Sequence, residues 1–175
     1  LTINSGNINI FSDNDGINTN EDNVSVTTIN GGNVHIVAGL GTEGDGVDSN
    51  GWLVINGGTV ISAAKPMSDS GLDSTMGSYI NGGTVVALGS TMDWAESDSQ
   101  QVTMNLQFDG YKESNSAIIV TKEDDSVIFA YDPSEDEIAG ENARQYMGAV
   151  ISCPEFAIGE TYNVYSGSVN GTETN

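Results

Sequence analysis

Four copies of one short pattern divide the first half of this chain. They read Ile3-Asn4-Ser5-Gly6-Asn7-Ile8, Ile29-Asn30-Gly31-Gly32-Asn33-Val34, Ile55-Asn56-Gly57-Gly58-Thr59-Val60 and Ile80-Asn81-Gly82-Gly83-Thr84-Val85, at intervals of 25 to 26 residues. A fixed period of this size marks a stacked repeat, in which each unit buries its apolar face only against its neighbours. The architecture is therefore constrained before any local segment is read.

Within one unit the pattern gives short strands joined by turns. Trp52–Ile55 and Thr59–Ala63 alternate as strands do, and Asn56-Gly57-Gly58 between them is turn chemistry, since Asn and Gly accept positive φ at little cost. Leu72-Asp73-Ser74 forms a third short strand after Asp69-Ser70-Gly71. Three strands per unit of about 25 residues fit an all-β parallel β-helix, in which each strand pairs with its counterpart one coil on. The inward ladders then read Ile3, Ile29, Ile55, Ile80; Ile8, Val34, Val60, Val85; and Ile17, Val47, Leu72. Leucine-rich and helical repeats fit less well, because no helical period is visible in residues 1–90.

The repeat fades after Ser90. Residues 1–100 read as coils, and 101–175 as C-terminal strands capping them in one structural unit, because an open coil end exposes strand edges and core. Strands are expected at Val102–Phe108, Ala117–Thr121, Val127–Tyr131, Gly148–Cys153 and Thr161–Tyr165, with a hairpin turn over Lys122–Ser126 and a short helix within Glu135–Arg144. Tyr131, Tyr146, Tyr162 and Tyr165 are assigned to packing within this cap. The single cysteine, Cys153, excludes an internal disulfide and reads as a small buried thiol. Leu1 falls inside a repeat, so further coils are expected ahead of it.

A second motif rides on the repeat: Asp15-Gly16-Ile17-Asn18-Thr19-Asn20, Asp45-Gly46-Val47-Asp48-Ser49-Asn50 and the altered Ser70-Gly71-Leu72-Asp73-Ser74-Thr75. With Ile17, Val47 and Leu72 inward, strand parity sends Asn18, Asp48 and Asp73 outward in one column, beside Asn20, Asn50 and Thr75. Charge matters at this point. With 25 Asp and Glu against four Lys and Arg, the net charge of −21 disfavours nucleic acid and anionic lipid, and carboxylates crowded on a folded scaffold gather cations. Carboxylate and amide oxygens are what calcium takes, whereas zinc, copper and iron–sulfur chemistry need Cys or His clusters that the chain lacks. Asp15, Asn18, Asn20, Asp45, Asp48, Asn50, Asp69 and Asp73 are the candidate ligands, with Asp13, Glu21, Asp22 and Glu43 as further oxygen donors nearby. Ordinary turn chemistry and metal-free amide ladders explain the same residue types.

The I-N-G-G-T-V-V-A repeats, the D-G-V-D-S-N-G coil and the tail Val150-Ile151-Ser152-Cys153-Pro154-Glu155-Phe156, followed by Gly159-Glu160-Thr161-Tyr162-Asn163-Val164-Tyr165, together resemble a bacterial family. Its members are secreted carbohydrate-binding domain-containing proteins, right-handed parallel β-helices similar to pectate lyases. The resemblance implies calcium between coils, affinity for plant cell-wall polysaccharide such as cellulose or polygalacturonate, and an extracellular or cell-surface location. The chain departs from the pattern in having few coils at its N-terminus and Ser70 where the third motif should carry Asp.

Catalysis has less support. A polysaccharide lyase needs a base, and Lys65 is the only Lys or Arg in the coil region, where a solvated loop lysine is the simpler reading. His35 falls at an outward strand position and is expected at the surface. Sugar binding uses exposed aromatic faces, for which Trp52, Trp94 and Tyr79 are the candidates. Three functions follow: a non-catalytic calcium-dependent carbohydrate-binding module, a calcium-dependent pectate-lyase-like enzyme, and a calcium-rigidified structural or adhesin segment. No nucleic-acid partner and no membrane insertion are expected, and the chain is read as a monomer.

Overall fold

The computed structural model describes residues 1–91 and 93–168. The chain winds through about three turns of a parallel β-solenoid, and strands make up 47% of it. Each coil contributes one strand to each of three sheets. The first coil holds β1 (Thr2–Ile3), β2 (Asn7–Phe11) and β3 (Ile17–Thr19), and the second β4 (Val26–Ile29), β5 (Asn33–Val37) and β6 (Val47–Ser49). The third holds β7 (Trp52–Ile55), β8 (Thr59–Ala63) and β9 (Leu72–Ser74), and the chain then adds β10 (Gly77–Ile80) and β11 (Thr84–Gly89). The first strands of the coils pair in the order β1-β4-β7-β10 and the third strands in the order β3-β6-β9, all parallel.

The register is the one the repeat predicts. Ile3, Ile29, Ile55 and Ile80 pair in succession, as do Ile8, Val34, Val60 and Val85, and Ile17, Val47 and Leu72. All but Ile3 and Ile8 lie inside one continuous apolar column, with Leu53, Ile36 and Ala87 filling the levels between. Ile3 and Ile8 are only partly covered, because no coil stacks on their outer side among the described residues.

The turn between the first two sheets explains the Asn-Gly-Gly signature. Gly32, Gly58 and Gly83 have φ of 94°, 88° and 94°, a backbone region that side chains disfavour. The asparagine before each turn reaches back one coil. Asn30 Nδ2 donates to Asn4 Oδ1 at 2.8 Å, Asn56 to Asn30 at 2.8 Å and Asn81 to Asn56 at 3.0 Å. The Gln100 amide N–H closes the series on Asn81 Oδ1 at 3.3 Å. The amide ladder therefore runs along the Asn-Gly-Gly edge and not along the Asp-Gly motif. Asn56→Ala removes two of these rungs at an exposed site, where each net hydrogen bond contributes about 1 kcal/mol. The expected loss is about 1–2 kcal/mol, read as a lower denaturant midpoint with an unchanged m-value.

The C-terminal half covers one side as well as the end of the solenoid. β12 (Thr103–Lys112) and β15 (Tyr146–Ser152) extend the middle sheet, whose order is β12-β15-β11-β8-β5-β2, with β15 antiparallel to β11. β13 (Ala117–Lys122), β14 (Val127–Tyr131) and β16 (Tyr162–Gly167) form a separate antiparallel sheet. Ile118, Val120, Phe129, Tyr146 and Phe156 join the outward residues Ala63, Val86 and Leu88 of the coils in a second apolar cluster. The coil side chains on this outer face are thus apolar because the cap lies on them.

Three expectations need refinement or correction. The short helix expected within Glu135–Arg144 is a three-residue 3-10 turn, Gly140–Asn142, and a second such turn, Pro133–Glu135, is started by Pro133 and the Asp132 side-chain cap. His35 is 4% exposed, not a surface residue, because the 132–142 segment folds over its strand and Asp136 Oδ2 meets His35 Nε2 at 2.7 Å. Tyr165 is 50% exposed on β16, an outer strand of its sheet, and does not pack in the cap. Cys153 is buried, and burial pushes its thiol up to about 11, which leaves it a weak nucleophile.

Candidate metal and ligand site

The edge formed by β3, β6 and β9 carries the acidic motif. Asn18, Asp48 and Asp73 pair in register, so their side chains form the outward column that strand parity predicts. The turns before these strands deliver Asp15 and Asp45. Each uses one carboxylate oxygen as a clip to the next coil: Asp15 Oδ1 accepts from the Asp45 amide at 3.0 Å, and Asp45 Oδ1 from the Ser70 amide at 2.6 Å. Asp15 Oδ2 accepts from Asn18 Nδ2 at 2.5 Å. The first Asp of the motif thus serves the turn reading in part, while Asp45 Oδ2 and the Asp48 and Asp73 carboxylates stay outside these clips.

Electrostatics sets this edge apart. Burial, reinforced by Asp73, Asp69 and Asp15 and opposed by the Ser70 amide, pushes the Asp45 carboxyl up to about 7. Burial together with Asp93, Asp48 and Asp15 raises Asp73 to about 6. Asp48 is raised too, by partial burial and then by Asp15. Like charges in a half-dry site disfavour ionisation, and no Lys or Arg stands close enough to offset them among the described residues.

The other candidates are dispersed. Asp69 is 7% exposed and turns inward to the loops, accepting from the Gly44 amide at 3.0 Å and from Ser68 Oγ at 2.9 Å. Asn50 Nδ2 donates to Asp22 Oδ1 at 2.6 Å and Asn20 is exposed, so these two stand at the outer end of the motif. Asp13, Glu21 and Glu43 are exposed loop residues. Asp93 was not evident from sequence. It lies in the irregular loop after the repeat fades, accepts from Ser70 Oγ at 3.1 Å, and acts on Asp73.

The donor set of carboxylate and amide oxygens suits a hard cation such as calcium. Among the described residues no group of three or more His, Cys, Asp or Glu side chains is already gathered around a single point. Metal binding at this edge would require Asp48 and Asp73 to turn toward Asp45.

The aromatic candidates separate. Trp52 and Tyr79 are half-buried on the outer face of the β1-β4-β7-β10 sheet. Trp52 pairs with Gly77, and the Tyr79 ring lies over Gly77, 3.0 Å from where a Cβ would stand. The two rings therefore flank one glycine on one face. Trp94 instead packs against the end of the apolar column and lines a small cavity with Leu72 and Val150. Lys65 Nζ donates to the Thr42 carbonyl at 2.6 Å. No described helix is long and apolar enough to cross a membrane. No protein-family model matches the chain, and neither a curated protein nor a solved structure matches it.

Proposed function

We propose that the chain is a non-catalytic carbohydrate-binding module whose coils take up calcium along the Asp15–Asp45–Asp48–Asp73 edge. The observation that carries this reading is the crowding of half-buried carboxylates without a cationic partner, which lifts Asp45 and Asp73 far above the usual carboxylate range. A divalent cation relieves that repulsion. Trp52 and Tyr79, on the sheet that follows β9 around the coil, supply apolar ring faces for sugar C–H groups. The polysaccharide class follows from the resemblance to secreted cell-wall-binding proteins: cellulose or polygalacturonate.

A glycan array run with calcium and with chelator tests this, supported by calorimetry on two variants. Wild type is expected to retain plant cell-wall glycans without releasing product. Asp48→Ala should lower calcium affinity at least tenfold while the coils stay folded, because Val47 and the core are untouched. Trp52→Ala should weaken glycan binding and leave calcium affinity unchanged. Absence of any glycan retention in either condition would refute the module reading, and release of unsaturated product would replace it with a lyase.

A further inference from the structure

Two of the four cationic side chains converge on a groove of about 360 Å³ between the 64–69 loop and the cap. Its lining includes Lys65, Pro66, Met67, Tyr111, Arg144 and Gln145. Lys65 and Arg144 are both anchored on the 38–42 segment of the second coil. Arg144 gives Nε and one Nη to the Ala38 carbonyl at 3.2 and 2.7 Å, and Lys65 Nζ binds the Thr42 carbonyl. Neither forms an ion pair among the described residues, although the chain carries 25 acids. Of the acids nearby, Glu113 accepts from Gln145 Nε2 at 2.7 Å and Asp69 is turned to Gly44 and Ser68, while Glu43, which follows Thr42, is exposed and makes no ion pair with Lys65.

These bonds leave unused donors. The guanidinium keeps N–H groups beyond the two on Ala38, and the ammonium keeps two beyond the one on Thr42. Both side chains are half-buried, which fixes their position and limits hydration. Beside them Tyr111 is 51% exposed and Met67 is 75% exposed, an aromatic ring and a polarisable thioether facing water. A protein of net charge −21 repels anions over most of its surface, so two unpaired cations held together mark the place where an anionic group is accepted.

We propose that this groove binds the carboxylate of a hexuronate unit, with Arg144 and Lys65 holding the carboxylate and Tyr111 covering the sugar ring. Arg144 presents the fork that matches a carboxylate, Lys65 adds a second charge, and the exposed ring covers a pyranose face. The site lies apart from the acidic edge and needs no calcium. It rests on the carbohydrate-binding reading and specifies an acidic saccharide at a second location.

The test is calorimetric titration of the whole chain with trigalacturonate in excess chelator, with ring-proton NMR of Tyr111. Saturable binding that shifts Tyr111 is expected, at least tenfold tighter than for the neutral galactose trimer. Arg144→Gln should weaken it at least tenfold. Because that variant loses the Ala38 anchor and Lys65→Gln loses the bond to Thr42, Tyr111→Ala serves as the companion that leaves both anchors in place; Lys65→Gln and Tyr111→Ala are each expected to weaken binding about threefold or more, the latter at unchanged melting temperature. Equal affinity for the neutral trimer, or uronate binding unaffected by all three variants, overturns this site while leaving calcium-dependent glycan binding intact. Equally tight binding of an oligoglutamate peptide also overturns it, by showing a carboxylate site indifferent to sugar. No binding of any saccharide, with or without calcium, removes both readings together.

Discussion

Gly46→Ala is expected to unstack the coils. A Cβ on Gly46 would stand 1.9 Å from Ser62 Oγ and 2.4 Å from the Gly71 carbonyl. Neither neighbour gives way easily. Ser62 is fully buried, and its hydroxyl donates to that same Gly71 carbonyl at 2.6 Å, so rotating it away takes a buried hydroxyl off its acceptor. The Gly71 carbonyl also receives the Val47 amide at 3.1 Å, one of the bonds that join coil to coil, so moving the backbone breaks the ladder. Overpacking against backbone in a close-packed repeat belongs among the largest single-residue effects, about 4 kcal/mol or more. For a chain of this size that lowers the melting temperature by about 8 °C or more. Gly110→Ala is the control, since nothing stands within 4 Å of its added methyl. Thermal melts followed by circular dichroism should show a large loss for the first and none for the second. Equal melting of the two variants would mean that the glycine of the Asp-Gly motif is a composition habit and not a packing requirement.

The coils were legible in the sequence because their period and their parity are the physics of stacking. Ile29, Ile55 and Ile80 must be inward if they recur at one coil interval, and the outward placement of Asn18, Asp48 and Asp73 follows from the pleat. What the sequence did not disclose depends on contacts between remote segments. His35 reads as outward and is outward from the coil, yet Asp136, a hundred residues on, covers it. Burial raises the Asp136 carboxyl, but hydrogen bonds from His35, the Ala139 amide and Tyr131 outweigh that and hold it low. No periodicity connects 35 with 136. The same holds for Arg144, whose anchor on the Ala38 carbonyl joins the cap to the second coil. Asp93 escaped notice because the repeat has decayed by that point. Trp52 and Trp94 look equivalent as isolated tryptophans. Only the fold separates one on a sheet face from one sealing the end of the core.

The acidic edge gives the second large effect, a stability that falls with pH until a cation arrives. Asp45 rises from an ordinary 3.8 to about 7 and Asp73 to about 6. A carboxyl whose value is raised on folding binds more protons in the native state than in the unfolded one. Stability is therefore highest near pH 4 and is lost as pH climbs toward 7. Both groups are half-buried, so solvent screening reduces the nominal shift to about 1–2 kcal/mol of stability in all. In chelator the melting temperature at pH 8 should lie about 2–8 °C below that at pH 5. Calcium reverses the order. It binds the ionised form, and at a hundredfold excess over Kd it adds about 2.7 kcal/mol at pH 8 but little at pH 4. Asp45→Asn isolates the cause. The amide oxygen still accepts the Ser70 N–H, so the clip between coils survives, while the charge that Asp73, Asp69 and Asp15 oppose is gone. The variant should melt higher than wild type at pH 8 in chelator, vary less between pH 4 and 7, and gain less from calcium. General repulsion in a chain of net charge −21 acts on both proteins almost equally, so the difference between their profiles reports this edge alone. Superimposable profiles for the two proteins in chelator would place the frustrated charge elsewhere, and calcium stabilisation undiminished in Asp45→Asn would remove Asp45 from the ligand set.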